Sequence, residues 1–459
     1  MTVPERAPAG ESAPGSAGAS AGEPAGGSAR PRRGWDLVGL GAGNAMEWYD
    51  WGIYATFSAF FASQFFTGTP GAAFLKTLAV FAAGFVARPF GGFLLGWLAD
   101  RRGRKSAMVW SVAMASTGSL VIAVIPTAAT IGVAAPIILV LARLLQGLAH
   151  GGELPAAQTY LSEVAPRQRR GLWSSVIYFS GSVGVLGGTL LGAVLSGALS
   201  HEQMISFGWR IPFLLGGLFG LYALVLRVRM RETEIFEAQR AVRQAEPQQS
   251  IARQVLAHPV PLLRVIGFTM GGTVIYYVWA ISAPAFAIAE RGTDPAGALW
   301  AGSAATVLYM LALPLWGALS DRIGRRPVML IAMGALALLY FPLDSLIRGE
   351  TWQLLVAMSI ALVIISAISA IGPAVLAELF PTGIRAAGVG VPYSLAVALF
   401  GGTAPYLQTY FNQRHLPQVF VWYAIGLGVV TMLTVWFMPE TKGIDLSAER
   451  APAAEGAAT

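Results

Sequence analysis

The chain has 459 residues, of which 55% are hydrophobic and 12% charged, with a mean hydropathy of +0.60 and no cysteine. Soluble chains carry about 25% charged residues, so soluble enzymes are largely excluded and a polytopic membrane protein is indicated. The net charge of +7 does not indicate nucleic acid, because the basic residues fall in short clusters between apolar runs and no basic aromatic face accompanies them.

Residues 1–33, rich in Ala, Gly, Pro and Ser and free of aromatics, read as a disordered cytoplasmic tail. From Trp35 onward twelve apolar segments follow, near 35–62, 72–99, 106–126, 134–162, 171–199, 209–229, 262–289, 297–320, 327–347, 352–379, 386–411 and 417–438. Each is long enough for a bilayer core, which needs about 20 residues. The expected organisation is therefore a six-helix unit over 34–230, a cytoplasmic linker over 231–260, a second six-helix unit over 261–439 and a cytoplasmic tail over 440–459. With the N-terminus inside, 24 of the 31 basic residues lie in cytoplasmic segments or at their edges. Only Arg210, Arg291, Arg348 and Arg414 lie outside, which predicts both termini in the cytoplasm.

Internal repetition sets the architecture. Gly96 to Lys105 matches Gly317 to Arg326 at an offset of 221 residues. Glu163, Pro166 and Arg170 match Glu378, Pro381 and Arg385 at 215, and Glu232-Thr233 matches Glu440-Thr441 at 208. The markers follow the second, fourth and sixth spans of each half, so the chain is a duplicated six-helix unit. Gly184, Gly188 and Gly192 in span five are spaced for close helix approach.

Charges within spans persist mainly where they face a cavity or a partner. Counting about 1.5 Å per residue, Glu47, Asp50, Arg88 and Glu153 share a layer near mid-membrane, with Arg143 farther from the cytoplasmic side and one turn from Gln146. Structural pairing of the three carboxylates with Arg88 and Arg143 is one reading. The other makes Glu47, Asp50 or Glu153 the proton carrier, since carboxylates outnumber guanidinium groups, and makes Arg88 and Arg143 anion ligands, since guanidinium is a planar, permanently charged fork. His150 reads as a neutral imidazole hydrogen-bonded across helices. The second half keeps almost no charge within its spans and is instead rich in tyrosine, an aromatic stripe that more often packs than binds.

The Gly-x-x-x-Asp-Arg-x-Gly-Arg-Lys loop at Gly96, with its echo at Gly317, resembles the signature of the major facilitator superfamily. Glu47-Trp48-Tyr49-Asp50, Arg88-Pro89-Phe90-Gly91, Arg143-Leu144-Leu145-Gln146-Gly147 and Phe400-Gly401-Gly402-Thr403-Ala404-Pro405 narrow the resemblance to the metabolite:proton symporter family. His150, Leu154, Pro155 and Ser394 depart from its pattern. The resemblance implies an all-α membrane protein of two six-helix bundles with the substrate site between them, lined by Arg88, Arg143, Gln146, Tyr276 and Tyr393. It implies a cytoplasmic gate of Asp100, Arg101, Gly103 and Arg104 with Asp321, Arg322 and Arg325, in which Asp100 meets the N-terminus of span eleven. Glu163 with Arg170, and Glu378 with Arg385, would complete the gate. The expected activity is proton-coupled uptake of a small organic acid by alternating access across the bacterial cytoplasmic membrane. Export or exchange of a metabolite or zwitterionic osmolyte is the alternative. Expected partners are substrate, protons and the lipid bilayer, with no nucleic acid, no cofactor, no metal, no enzymatic activity and a monomeric state.

Overall fold

The computed structural model describes residues 33–102, 104–151, 153–229, 259–380 and 385–446. The remaining residues include most of the expected N-terminal tail and of the linker over 231–260. The first six spans are α1 (Arg33–Phe65), α2 (Pro70–Arg102), α3 (Arg104–Val124), α4 with α5 (Ala134–Ala149 and Glu153–Val164), α6 (Arg170–Ala198) and α7 (Arg210–Arg229). The last six are α8 with α9 (Pro259–Tyr276 and Ala283–Arg291), α10 (Pro295–Ile323), α11 (Arg325–Leu346), α12 (Thr351–Glu378), α13 with α14 (Arg385–Ala396 and Ala404–Gln413) and α15 (Pro417–Phe437). The twelve spans match the sequence expectation. Among the described residues nine helical stretches are by themselves long and apolar enough to cross a membrane.

Three spans are interrupted, which hydropathy does not show. Span four breaks between Ala149 and Glu153. Spans seven and eleven each contain a π-helical turn, Tyr277–Ser282 and Val397–Gly401. Such turns recur at functional sites because the widened turn re-aims side chains. These two turns meet: a Cβ on Gly401 would lie 2.4 Å from Thr273 Oγ1 and 2.8 Å from Tyr277 Cδ2.

Large apolar side chains cover the outside, among them Trp97, Leu141, Leu315 and Leu338. In lipid this carries no penalty, while the helices satisfy their own backbone groups. Packing inside relies on small residues, as the span-five glycines predict. A Cβ on Gly184 would lie 1.9 Å from the Ala45 carbonyl oxygen, so α6 approaches α1 at backbone contact distance. α6 makes a second close crossing with α10, from the other half, through Gly171 and Gly317, where a Cβ on Gly317 would lie 2.6 Å from the Gly171 carbonyl oxygen.

Candidate transport site

Residues of both halves enclose a cavity of about 50 Å³. Trp48 and Tyr178 line it from the first half, and Tyr276, Tyr277 and Tyr393 from the second. Tyr276 stands edge-on to Trp48 with ring centroids 5.4 Å apart, and Tyr178 edge-on to Tyr276 at 5.7 Å. Tyr178 and Tyr393 bring their hydroxyls within 3.3 Å. Of the five residues expected at the substrate site, Tyr276 and Tyr393 line this cavity.

Arg88 sits just outside the lining. Its Nη2 donates to Glu47 Oε1 at 2.6 Å, and both side chains are buried. The guanidinium packs over Trp51 and Phe85, and Phe85 meets the cavity residue Tyr277 edge-on at 5.0 Å. Of the carboxylate–guanidinium pairs that one reading of the sequence allows, Glu47 with Arg88 is thus present.

Arg143 behaves differently. It is fully buried, stacked against Trp51 and Tyr54 at 4.3 and 4.2 Å, and no described carboxylate lies within ion-pair distance. It reaches Asp50 through a relay: Arg143 Nη1 donates to Gln146 Oε1 (2.8 Å), Gln146 Nε2 to Ser119 Oγ (2.8 Å), and Ser119 Oγ to Asp50 Oδ1 (2.9 Å). The relay places Arg143 and Gln146 away from the cavity and beside Asp50. Sequence spacing puts Gln146 one turn from Arg143 but gives no sign of Ser119, which arrives from α3. Asp50, Glu47 and His150 line a second, largely apolar crevice of about 650 Å³ among α1, α3, α6 and α7. His150 Nδ1 lies 2.7 Å from the Gln146 carbonyl, the ordinary role of a buried imidazole, though the bond runs within its own helix and not across helices. The side chain of Glu153 lies outside the described residues.

Two closures flank the cavity. At the end where residues 440–446 lie, here the tail end, the expected pairs exchange partners. Arg170 Nη1 bonds Glu378 Oε1 at 2.9 Å, and Arg385 Nη1 bonds Glu163 Oε1 at 2.6 Å. Each arginine therefore reaches the glutamate of the opposite half, which corrects the pairing of Glu163 with Arg170 and Glu378 with Arg385. Repeats related by rotation face each other across the axis, so matching residues swap. Arg325 joins the network, 2.8 Å from Asp321 Oδ1 and 3.7 Å from Glu378 Oε1.

Asp321 also caps α6: the Gly171 and Leu172 N–H groups donate to its two oxygens at 2.9 Å each, where the helix dipole favours a carboxylate. It is the counterpart, by the internal repeat, of the contact expected of Asp100 with span eleven. The side chains of Asp100, Arg101 and Arg104, together with Gly103, lie outside the described residues. Arg322 takes part through its carbonyl, which accepts from Lys442 Nζ at 2.6 Å. Glu440, a repeat marker whose function the sequence left open, accepts the N–H groups of Arg325 and Arg326 at the start of α11.

At the far end the closure is apolar. Ala62, Ala73, Phe74, Leu78 and Ala285 form a buried cluster, with Tyr406 packed against it. Beside them Glu290 accepts from Asn412 (2.8 Å) and Gln413 (2.7 Å), and Gln413 Nε2 also donates to the Gly71 carbonyl at 2.9 Å.

A cavity between two six-span halves, with a closure at each end and charge buried beside it, is the arrangement of a membrane transporter. Residues 38–260 match the family described as sugar (and other) transporter, and residues 268–456 match the major facilitator superfamily. The chain is 38% identical to the alpha-ketoglutarate permease of Escherichia coli (strain K12), over 90% of this chain and 95% of that protein. It is 32% identical to the ectoine/proline transporter ProP of Corynebacterium glutamicum, over 89% and 82%. Among solved structures it is similar to the xylose transporter XylE from E. coli in a partially occluded inward open conformation, with a TM-score of 0.67 at 19% identity, covering 89% of this chain and 98% of that one. The chain belongs to the major facilitator superfamily.

Proposed function

We propose that the protein is a proton-coupled symporter of a small organic acid, which takes its substrate across the bacterial cytoplasmic membrane by alternating access, as a monomer with both termini in the cytoplasm. The observation that carries this reading is the buried Arg88–Glu47 pair, 2.6 Å long and one aromatic layer from the cavity. While a protein carboxylate holds the guanidinium fork, a substrate carboxylate cannot use it. A proton on Glu47 removes that competitor, so proton and acid bind together. Asp50, joined to Arg143 through Ser119 and Gln146, is the second proton site in this reading, and Glu153 the third candidate. The six-helix units over 34–230 and 261–439 rock about the linker over 231–260, and the tail-end charge network is the cytoplasmic gate. The similarity to an alpha-ketoglutarate permease is in keeping with such a substrate.

A second reading has an observation of its own. The rings of Trp48, Tyr178, Tyr276 and Tyr277 around the cavity suit an onium group by cation–π attraction, and one relative is an ectoine/proline transporter. Uphill or exchange transport of a zwitterionic osmolyte would use the same two closures.

Uptake of labelled 2-oxoglutarate and glycine betaine into proteoliposomes, with and without an inward proton gradient, separates the two. We expect gradient-dependent accumulation of the acid. Arg88→Gln, shown folded by its melting temperature, weakens acid binding by roughly 30-fold to several-thousand-fold, the usual result of removing one partner of a desolvated pair. Glu47→Gln abolishes accumulation and keeps exchange. Betaine uptake indifferent to Arg88→Gln, without acid uptake, overturns the acid reading in favour of the osmolyte.

A further inference from the structure

The cavity contains a polar side chain that takes no part in the scheme above. Gln158, on α5, is 1% exposed and lines the cavity, and neither its Oε1 nor its Nε2 has a hydrogen-bond partner among the described residues. The Tyr393 hydroxyl lies beside the amide, within its electrostatic reach. From α8, in the other half, Thr269 brings a second buried hydroxyl to the same cavity, likewise without a partner among the described residues. Buried amides and hydroxyls are nearly always hydrogen-bonded. Two that face one cavity from opposite halves mark a place where a bound molecule supplies the partner.

Chemistry narrows the partner. Guanidinium only donates, whereas an amide and a hydroxyl both donate and accept, so the pair accommodates an oxo, hydroxyl or carboxylate oxygen equally well. The cavity volume of about 50 Å³ compares with the roughly 10–15 Å³ that one water needs on the same measure. In this conformation the pair faces room for a small oxygen function. Because Gln158 and Thr269 come from opposite halves, a group bound between them also ties the halves together while the cavity is closed.

We infer that Gln158 and Thr269 form a specificity subsite that holds a second oxygen-bearing group of the substrate, so that the protein selects short acids carrying an oxo, hydroxyl or second carboxylate group over simple monocarboxylates. This rests on the organic-acid reading. Arg88 supplies charge for one carboxylate, and the neutral pair reads what else the acid carries.

The test compares uptake of labelled 2-oxoglutarate with that of valerate, which has the same five-carbon chain and one carboxylate. The wild type prefers 2-oxoglutarate. Gln158→Leu raises its KM for 2-oxoglutarate about 10-fold to 100-fold, the range for a hydrogen bond to a charged or strongly polar group. The maximal rate stays within about twofold, as expected when binding alone is lost, and the KM for valerate is unchanged. Thr269→Val, nearly isosteric, gives the same selective shift, and it decides the matter if Gln158→Leu does not fold. An equal rise for both acids assigns the pair a packing role and overturns the subsite, as does an unchanged preference in both variants. Either result leaves the organic-acid reading standing. A wild type that accumulates neither acid sinks both.

Discussion

At the tail end the two halves are joined by buried carboxylates and guanidinium groups, with Glu378 between Arg170 and Arg325 and Asp321 on the start of α6. At the far end they are joined by Phe74, Leu78, Ala285 and their neighbours, with a single carboxylate held by side-chain amides. The two closures therefore fail in different ways. A charge network is directional: removing one member strands the others, and the gap is costly because their hydration was given up on closure. An apolar cluster is non-directional and loses stability in proportion to the contact removed. A transporter that must open one end at a time gains from having two seals that respond to different perturbations. The loops in which the basic residues cluster supply the arginines of the charged seal.

The largest expected effect tests that contrast directly. Glu378→Gln leaves the buried Arg170 guanidinium without its carboxylate, while Arg325 keeps Asp321, and should shift the equilibrium toward tail-end opening by about 3–5 kcal/mol. Phe74→Ala should shift it toward far-end opening by about 3–5 kcal/mol. Since the chain has no cysteine, a single Ser369→Cys reporter in the cavity can be labelled from either face by an impermeant thiol reagent. The faces labelled should be opposite in the two variants, and labelling from the same face in both would erase the distinction between the seals.

A smaller effect is expected at the helix cap. Asp321→Asn retains an acceptor for one of the Gly171 and Leu172 N–H groups and loses the charge that opposes the α6 dipole. It should weaken the tail-end closure by about 0.5–2 kcal/mol. Reporter labelling should rise modestly while the melting temperature changes little. Labelling as strong as in Glu378→Gln would place Asp321 at the centre of the network instead of its edge.

The smallest effects are expected where each closure meets solvent. Glu163 has a side chain 40% exposed although its partner Arg385 is buried, so Glu163→Gln should cost less than about 1 kcal/mol and its effect should fade in high salt. Glu290→Gln keeps an acceptor oxygen for Asn412 and Gln413 and should barely move labelling at any salt concentration. Strong far-end opening in Glu290→Gln would show that this closure, too, depends on charge.

Much of this was written in the sequence. Hydropathy located the twelve spans, the repeat offsets divided them into two sixes, and the in-span charges picked out Glu47, Asp50, Arg88 and Arg143. Each of these signals is local: span length follows from bilayer thickness, and a charge in an apolar run is conspicuous because it is expensive there. The loop markers likewise singled out Glu163, Arg170, Asp321, Glu378 and Arg385 as a group.

Partnership was decided only by the tertiary structure. Helical periodicity tells which residues share a face but not which helix that face meets. Hence Arg170 pairs with a glutamate 208 positions away and not with its neighbour Glu163, and Ser119 enters the path between Gln146 and Asp50 from another helix. The π turns in spans seven and eleven, which position Tyr277 and bring Gly401 against Thr273, have no hydropathy signature, since widening a turn changes no residue's polarity. Gln158 was invisible for the same reason. A glutamine in a helix is unremarkable until the surrounding packing buries both of its polar atoms without a partner among the described residues.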